Sequence, residues 1–335
     1  MAILVTGSAG FIGFNLCRRL LDSGHDVVGL DSMSEYYDVS LKKSRHAILE
    51  KFKSFKKYEV DICDQPSLDH IFSEVGINTV VHLAAQAGVR YSISHPDTYI
   101  QTNIVGTFNL LEIARKKNIE HFLFASTSSV YGANTDLPYK ELSKADNQVS
   151  IYAATKKSCE NLSHSYAHLF EIPITCFRFF TVYGPWGRPD MALFKFTKAI
   201  FENKPIDIFN DGNMRRDFTY VDDLVKAIHA LIAKIPKAGQ SESAVDTISK
   251  VAPWRVVNIG NGKSENLMDF ISHIESATGK IAEKNYLPMQ QGDVPDTWAD
   301  NSLLRDLIGH FDGTTIDVGV GEFVAWYKDY YSIND

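Results

Sequence analysis

The first half of the chain alternates short apolar runs with longer segments of helical periodicity. The apolar runs cover residues 3–6, 27–31, 58–62, 80–84, 121–126 and 174–179. The helical segments between them cover residues 11–23, 41–52, 67–75, 96–117 and 151–170. Near-continuous apolar strands are typical of parallel sheets that are buried on both faces. The pattern therefore predicts an α/β fold built on a doubly wound parallel (Rossmann) sheet.

The pattern changes after about residue 180, where the strands shorten and Pro and Gly become frequent. Later elements are predicted over 223–233, 256–259, 267–278 and 321–330. The polar stretch 236–253 is predicted to be a surface loop. We therefore predict a nucleotide-binding domain over 1–180 and a smaller C-terminal α/β lobe over 181–335. Some segments of the lobe are expected to return and pack on the first domain, with the ligand cleft between the two.

Composition and charge narrow the function classes. The 335 residues are 44% hydrophobic and 22% charged, which is the balance of an ordinary globular protein. The formal net charge of −7 disfavours binding of nucleic acid or of an anionic membrane, although a few arginines can still hold a small anion. The first residues show neither a signal peptide nor a membrane anchor, so we expect a cytoplasmic protein. The widely spaced cysteines predict buried thiols and no metal site.

A glycine-rich loop, GSAGFIG at 7–13, joins the first predicted strand to the first predicted helix. Glycine permits positive φ in a tight turn, and the missing Cβ lets the backbone approach a pyrophosphate at the helix N-terminus. The spacing GxxGxxG fits the general dinucleotide fingerprint only approximately, but its place between strand and helix favours phosphate binding. The residues expected to contact the cofactor here are Gly7, Gly10, Phe11, Ile12 and Gly13.

The end of the second predicted strand carries an acidic residue, Asp31. A carboxylate at this position accepts hydrogen bonds from ribose hydroxyls and repels a 2′-phosphate. The next residues are Ser32 and Met33, with no adjacent arginine that could accept the phosphate. The sequence therefore predicts NAD rather than NADP.

Tyr152 and Lys156 stand at the start of the predicted helix 151–170, and their i, i+4 spacing places both on one helix face. A free tyrosine is a poor base at neutral pH because its pKa is near 10. A lysine ammonium and a nicotinamide cation both favour the phenolate, and about 4 kcal/mol of differential stabilisation would lower the pKa by about 3. Such a group takes the proton of an alcohol whose carbon gives up a hydride. We therefore predict that Tyr152 is a catalytic base.

Four consecutive hydroxyl residues, 126–129, end the fifth predicted strand. The C-terminal ends of strands in a doubly wound sheet face the ligand crevice. We expect these hydroxyls to donate hydrogen bonds to a sugar oxygen or a carboxylate, and to relay a proton to Tyr152.

Taken in order, the motifs resemble those of the extended short-chain dehydrogenase/reductase family, and in particular its nucleotide-sugar epimerases and dehydratases. The resemblance covers nearly the whole chain. It is carried by GSAGFIG at 7–13, Asp31, Asp61-Ile62, HLAA at 82–85, Asn103, STSSVYG at 126–132, YAATK at 152–156, RFFTVYGPWGRPDM at 178–191, RRDFTYVDD at 215–223 and GDVP at 292–295.

The resemblance implies a role for each matching residue. Besides the glycine-rich loop, the cofactor-binding residues that it implies are Asp31, Asp61, Ile62, Leu83, Ala84, Ala85, Asn103, Tyr152 and Lys156. Asp61 and Ile62 would flank the adenine. Tyr152 would be the base, Lys156 would bind the nicotinamide ribose, and Thr127 would bond the reacting sugar oxygen.

Departures from related motifs favour one branch of the family. The 4,6-dehydratases have an acidic pair where this chain has Ser128 and Ser129, and the UDP-glucuronate decarboxylases have Glu at the position of Ser129. The galactose epimerases carry Asn where this chain has Thr181. Thr181, with segments 87–91 and 184–191, looks most like the UDP-glucuronate 4-epimerases, which implies a UDP-sugar substrate.

This likeness implies an isomerase that interconverts UDP-glucuronate and UDP-galacturonate. Tyr152 would take the 4-hydroxyl proton while NAD accepts the C4 hydride. The resulting 4-keto sugar would turn and receive the hydride on its other face. Because that ketone is β to the C6 carboxylate, an acid beside it would favour loss of CO2. Hydroxyl donors at 127–129 therefore suit epimerisation.

The substrate-binding residues implied by the likeness are Arg90, Thr127, Ser128, Ser129, Thr181, Arg188, Arg216 and Asp293. Arg188 and Arg216 would hold the diphosphate, because guanidinium forks suit phosphate oxygens. Gln290 stands where galactose epimerases have an Arg. The alternatives are a UDP-hexose (glucose or N-acetylglucosamine) 4-epimerase, a UDP-glucuronate decarboxylase and a non-catalytic NAD-sensing binding protein. The helices 96–117 and 151–170 resemble a pair that forms the dimer interface in this family, which implies a homodimer.

Overall fold

The computed structural model describes residues 2–290, 292–310 and 312–333. Its strands, in chain order, are β1 (Ala2–Thr6), β2 (Val27–Asp31), β3 (Phe55–Glu59), β4 (Ile77–His82), β5 (His121–Thr127), β6 (Ile174–Phe179), β7 (Thr181–Tyr183), β8 (Ile206–Phe209), β9 (Arg215–Arg216), β10 (Phe218–Tyr220), β11 (Trp254–Ile259), β12 (Glu265–Asn266), β13 (Lys284–Leu287) and β14 (Asp296–Thr297). Its helices are α1 (Phe11–Asp22), α2 (Val39–Leu49), α3 (Gln65–Glu74), α4 (Tyr91–Ser94), α5 (Pro96–Tyr99), α6 (Gly106–Lys117), α7 (Ile151–Phe170), α8 (Ala192–Phe201), α9 (Val221–Ile232), α10 (Leu267–Thr278), α11 (Ser302–Ile308) and α12 (Ile316–Tyr330). A π-helical segment, Ile100–Val105, joins α5 to α6.

Seven parallel strands form the central sheet, in the order β11-β6-β5-β4-β1-β2-β3. This arrangement confirms the predicted α/β fold with a doubly wound sheet. The strand order reverses at β1, which pairs with β2 on one side and with β4 on the other. The crevice outside the C-terminal ends of β1 and β4 is therefore the expected place for a ligand.

Successive side chains of a strand point to opposite faces of the sheet, so each face packs against its own hydrophobic core. Ile3 and Val5 of β1 belong to a core cluster with α1, α9 and α11, whereas Leu4 belongs to a second cluster with α3, α6 and α7. Leu4 and Val5 are both completely buried. The continuous apolar run follows from this double coverage, because each residue must face one of two dry layers.

The C-terminal part of the chain is divided between the sheet and a separate core. Strand β11 pairs with β6 and so extends the central sheet. Helices α8, α10 and α12 enclose a third cluster together with β8, where the rings of Phe218 and Phe270 stack with centroids 4.1 Å apart. Short strands β12, β9 and β14 form a small sheet beside it. A domain boundary at residue 180 stays a prediction.

Several observed bounds differ from the periodicity-based prediction, and two of these differences have a clear structural reason. The third strand is Phe55–Glu59 rather than 58–62, because pairing with β2 starts at Phe55 opposite Val27. An edge strand has one exposed side and needs no continuous apolar run, so its register is poorly marked in the sequence. The helix predicted over 96–117 is interrupted by the π-helical segment, which turns Asn103 into the protein interior.

Candidate active site

A cavity of about 420 Å³ opens at the crevice beside β1 and β4. The predicted cofactor residues that line it are Gly7, Gly10, Phe11, Ile12, Gly13, Asp31, Asp61, Ile62, Leu83, Ala84, Ala85, Tyr152 and Lys156. The predicted substrate residues that line it are Thr127 and Arg188. The structure thus brings the glycine-rich loop, the acidic residue after β2 and the tyrosine–lysine pair into one site.

The glycine-rich loop fits an anion at the start of α1. Gly7 has φ +73°, and a Cβ there would lie 2.9 Å from the Ala84 backbone nitrogen. A Cβ on Gly13 would lie 2.0 Å from the Gly7 carbonyl oxygen, so the turn is too tight for a side chain. Gly10 precedes α1 and offers no side-chain cap to the first helical turn. The backbone N–H groups of that turn therefore remain for a bound phosphate.

The carboxylate of Asp31 is held by the backbone around it. It accepts hydrogen bonds from the backbone nitrogens of Ala9 at 3.0 Å and Met33 at 2.9 Å. Lys42 of α2 brings its Nζ to 3.9 Å from Asp31 Oδ1 and also lines the cavity. Sequence reasoning sought a cation directly after Asp31 and missed Lys42, because no local pattern marks a residue on the following helix as a neighbour.

Tyr152 lies in the first turn of α7, which Ser150 caps by accepting a hydrogen bond from the Ala153 backbone nitrogen at 3.1 Å. Burial raises the pKa of Tyr152 above its ordinary value of 10, and a hydrogen bond from Thr127 and the charge of Arg188 oppose this rise. The predicted lowering by Lys156 is therefore absent from the protein alone. The cause is desolvation, which penalises the phenolate more than the nearby donors stabilise it.

Lys156 is buried one helical turn further along α7. Burial lowers the pKa of its ammonium to about 8, and the surrounding Cys159, Cys176 and Glu160 oppose the shift. Its Nζ lies 4.6 Å from the centroid of the Phe124 ring. Because this pKa stays above 7, Lys156 remains largely protonated at neutral pH.

Asn103 does not line the cavity. Its amide accepts a hydrogen bond from the Gln86 backbone nitrogen at 2.8 Å and donates to Thr155 Oγ1 at 3.0 Å. Gln86 does line the cavity, and Thr155 belongs to α7. Asn103 therefore ties one cavity wall to the helix that carries Tyr152, which is a positioning contact rather than a ligand contact.

The hydroxyl cluster after β5 is split between the core and the cavity. Ser126 donates a hydrogen bond to Glu160 at 2.6 Å, and Glu160 forms a buried ion pair with Arg178 at 2.8 Å. Thr127 lines the cavity, and its hydroxyl bonds that of Ser129 at 3.2 Å. Ser128 and Ser129 follow in a half-buried turn and do not line the cavity itself. Thr181 lines a smaller adjoining cavity of about 30 Å³, together with Arg188.

Arg188 lines the cavity close enough to Tyr152 for its charge to act on the phenol, and its role in holding the diphosphate stays a prediction. Its Nε and Nη2 bond the two carboxylate oxygens of Asp190 at 3.0 and 2.5 Å. Tyr36 donates a hydrogen bond to the same carboxylate at 3.2 Å. This bidentate ion pair fixes the guanidinium at the cavity wall. From there its charge opposes the rise that burial causes in the pKa of Tyr152.

The remaining predicted substrate residues, Arg90, Arg216 and Asp293, form a second cluster where the residue before α4 meets the C-terminal part of the chain. Arg90 Nη2 lies 2.9 Å from Asp293 Oδ2, and its guanidinium carbon lies 4.6 Å from the centroid of the Phe209 ring. Arg216 donates to the backbone oxygens of Arg215 and Pro295 at 2.8 and 2.7 Å. Burial lowers the pKa of Arg216, and the charge of Asp293 opposes that shift. These residues are near one another but do not line the cavity.

The described part of the chain contains neither a candidate metal site nor a membrane-spanning helix. Over 2–290, 292–310 and 312–333 no group of three or more His, Cys, Asp or Glu side chains is placed to hold a metal ion. Within the same ranges no helix combines the length and the apolar character needed to cross a membrane.

Comparison with known proteins gives the family. Residues 3–245 match the family model of the NAD dependent epimerase/dehydratase family. A probable UDP-glucuronate 4-epimerase of Rhizobium meliloti is 50% identical over 99% of this chain and 98% of its own length. Protein CapI of Staphylococcus aureus is 51% identical over 99% of each chain.

A solved structure is similar over its whole length. The UDP-glucuronic acid 4-epimerase of Bacillus cereus, crystallised with UDP-glucuronic acid and NAD, is 36% identical, with a TM-score of 0.86 over 99% of this chain and 100% of that chain. The family match and these similarities agree with the resemblance seen in the motifs. The chain therefore belongs to the NAD dependent epimerase/dehydratase family.

Proposed function

We propose that the protein inverts C4 of UDP-glucuronate to give UDP-galacturonate through a transient 4-keto sugar. The family, with its relatives that are 4-epimerases and so isomerases, confirms the prediction of an NAD-dependent enzyme of this kind. One observation carries the choice of reaction. The only acidic residues among the described cavity-lining residues are Asp31, which ends β2, and Asp61, which follows β3, so no carboxyl group lines the cavity beside Tyr152.

The residues present fit NAD. The open N-terminal turn of α1 suits the diphosphate, and the carboxylate of Asp31 suits the ribose hydroxyls. We assign Asp61 and Ile62 to the adenine and Lys156 to the nicotinamide ribose. NAD, when bound, would supply the hydride acceptor for C4 and a positive charge beside the phenol.

Tyr152 would move the proton of the 4-hydroxyl. It takes this proton as the carbon is oxidised and returns it to the same oxygen after inversion, so that acid and base are one group. In the protein alone its pKa stays above 10, because burial outweighs the hydrogen bond from Thr127 and the charge of Arg188. The positive charges around the phenol therefore decide whether it can act at neutral pH.

Thr127, which lines the cavity, would hold the sugar without helping it to decompose. Its hydroxyl is hydrogen-bonded to that of Ser129 at 3.2 Å, so Thr127 is oriented before the sugar arrives. A neutral donor positions a carboxylate or a ketone without delivering a full proton. Decarboxylation of the β-keto acid is thereby left without an acid catalyst, which favours epimerisation.

Product analysis tests this function. The NAD-containing protein is incubated separately with UDP-glucuronate, UDP-glucose and UDP-N-acetylglucosamine, with no added reductant. We expect UDP-glucuronate to give UDP-galacturonate as the main product. Conversion of the neutral sugars alone would establish a UDP-hexose 4-epimerase, and CO2 with a UDP-pentose would establish a decarboxylase. A protein that binds NAD but converts none of the three would be a binding protein.

Tyr152→Phe tests the assignment of the base. Removing the hydroxyl is expected to lower kcat by roughly 10²–10⁴-fold, the usual contribution of a general acid–base group, while the NAD content stays unchanged. The matched control is Tyr286→Phe, because Tyr286 is an exposed tyrosine on β13. A Tyr152→Phe variant as fast as the unaltered protein would show that another group moves the proton.

We also propose a homodimer that forms through helices α6 and α7. Three exposed apolar side chains, Ile100, Phe108 and Phe170, are 44%, 42% and 41% exposed. Tyr166 joins the last two, with ring centroids 6.5 Å from Phe108 and 5.3 Å from Phe170. We call these four residues the α6–α7 patch. Exposed apolar side chains on these neighbouring elements support an interface with a second copy. Residence in the cytoplasm stays a prediction.

A further inference from the structure

A buried arginine on α2 connects two walls of the cavity. Arg45 has no exposed surface. Its Nη1 donates to the Ala9 carbonyl oxygen at 2.7 Å and to the Tyr37 hydroxyl at 2.9 Å. Its Nη2 donates to the carbonyl oxygens of Trp186 at 2.6 Å and Gly187 at 3.3 Å. One side chain therefore contacts the glycine-rich loop and the segment that leads to Arg188.

The charge of Arg45 has no carboxylate to balance it. Its hydrogen-bond acceptors are three carbonyl oxygens and one hydroxyl, and none of them is an anion. Among the described residues no acidic side chain forms an ion pair with it, and the carboxylate of Asp31, which accepts a hydrogen bond from the Ala9 nitrogen, is paired with Lys42. The Nε is buried and has no hydrogen-bond partner among these residues. A buried cation normally requires a compensating anion.

The position of Arg45 indicates which anion would compensate its charge. Ala9 lies between Gly7 and Gly10, and these two glycines line the cavity where the first turn of α1 begins. The bond to the Ala9 carbonyl fixes the loop from behind. The N–H groups of the loop and of the helix start are the donors that a phosphate requires. The Arg45 guanidinium therefore contacts the same loop whose N–H groups would bind the phosphate.

The second pair of bonds restrains an unusual backbone. Trp186 has φ +63°, a left-handed conformation that costs free energy for a residue other than glycine. Its ring packs against Phe14 of α1 and Trp326 of α12, with centroids 5.3 and 5.2 Å away. The bond from Arg45 to its carbonyl adds a third restraint. The conformation of the chain that leads into Arg188 is thereby coupled to the glycine-rich loop.

We propose that Arg45 is a positioning residue that supplies, through the glycine-rich loop, the positive charge for the diphosphate of the bound dinucleotide. Arg45 would attract the diphosphate through the loop without touching it. Such an attraction is strong in a buried site because the dielectric constant there is low. This inference rests on dinucleotide binding and is independent of which sugar the enzyme converts.

Ligand titration of the NAD-free protein tests the proposal, with NAD, ADP and adenosine as the probes. Adenosine lacks phosphate, so it reports damage to the adenosine site alone. Arg45→Met is expected to weaken NAD and ADP at least about tenfold and to leave the adenosine Kd within about twofold. Its binding of ADP should also depend less on salt, because one attractive charge is gone. The matched control is Lys43→Met, which removes one exposed charge from the same helix and should change none of the three affinities.

The variant Arg45→Lys separates the effect of the positive charge from the effect of the guanidinium hydrogen bonds. It keeps the cation and loses the fork of four bonds, so we expect a lower unfolding temperature with an ADP affinity within about threefold of the unaltered protein. Equal loss of ADP and adenosine binding in Arg45→Met would overturn the proposal, because the side chain would then act only on loop shape. A tenfold loss of ADP affinity in Arg45→Lys would also overturn it, and this variant decides the matter if Arg45→Met does not fold.

Discussion

The ammonium of Lys156 is surrounded by two thiols, a carboxylate and the ring of Phe124, with only 3% of the residue exposed. Burial lowers its pKa to about 8 from its ordinary value of 10.5. The folded protein therefore holds this proton less tightly than the unfolded chain does. Protonated Lys156 costs folding free energy in return for a fixed positive charge at the cavity wall.

Replacing Lys156 by Met is expected to raise the unfolding free energy at pH 7, by at most about 3 kcal/mol. Between pH 8 and pH 10.5 the unfolded state of the unaltered protein binds more protons at this site than the folded state does, so its stability rises with pH. The stability difference between the two proteins should therefore shrink across that window. Urea unfolding at several pH values measures it, with Lys43→Met as the exposed control. A difference that does not change with pH would contradict the buried ammonium.

At the residue scale, spacing predicted which side chains meet but not how their surroundings act on them. The i, i+4 rule placed Tyr152 and Lys156 on one wall, and the cavity contains both. The direction of their pKa shifts depends on desolvation by residues distant in the sequence. Lys42 and Arg45 were missed for the same reason, because α2 meets the glycine-rich loop only through tertiary packing.

At the scale of elements, the turn between β1 and α1 is the most constrained. Gly13→Ala would place a Cβ 2.0 Å from the Gly7 carbonyl oxygen, which is a backbone atom and cannot move aside as the end of a flexible side chain could. We expect a loss of roughly 2 kcal/mol or more of unfolding free energy, together with loss of bound NAD. Urea unfolding and the NAD content of the purified protein check this.

The matched control for this change lies in α12. A Cβ at Gly321 meets nothing within 4 Å, and the residue is in the interior of the helix. Gly321→Ala is expected to stabilise the protein by about 0.5–1 kcal/mol, since alanine restricts the unfolded chain and favours helix. If both substitutions had the same effect, tightness of the loop would not be the cause.

The bounds of an element were predicted most accurately where the element is most buried. Strands Val27–Asp31 and Ile174–Phe179 and the helix Ile151–Phe170 have the predicted bounds, because both strands are buried on two faces and the helix has a clear amphipathic period. The edge strand β3 is partly exposed, and its pattern marks no register. The π-helical segment Ile100–Val105 could not be predicted, because the buried contacts of Asn103 hold it and its composition does not mark it.

At the scale of the whole molecule, the α6–α7 patch predicts self-association. Phe108→Asp places a charge in the proposed interface and is expected to give a monomer, measured as the molar mass in solution at micromolar concentration. Ile281→Asp is the control, because Ile281 is 88% exposed and lies after α10 on the C-terminal lobe. A monomeric mass for the unaltered protein at that concentration would reject the homodimer.

The assembly of the sheet was the hardest feature to read from sequence. The apolar run at 256–259 predicts a strand, but nothing in it shows which edge it joins. Its partner β6 precedes it by a long excursion through the C-terminal lobe. The motifs, in contrast, predicted residues that the structure brings together in one cavity, because most of them lie at or shortly after the C-terminal ends of strands of the same sheet.

The position of β11 at the edge of the sheet has a consequence for biosynthesis. Until residues Trp254–Ile259 have left the ribosome, strand β6 has no hydrogen-bonding partner on that edge. Its side chains, which are all buried in the folded protein, belong to both faces of the sheet. Open apolar edges recruit other chains, so the nascent chain needs protection through this interval. A fragment that stops before β11 would keep that edge uncovered permanently, so we expect the first 180 residues to aggregate when they are expressed alone.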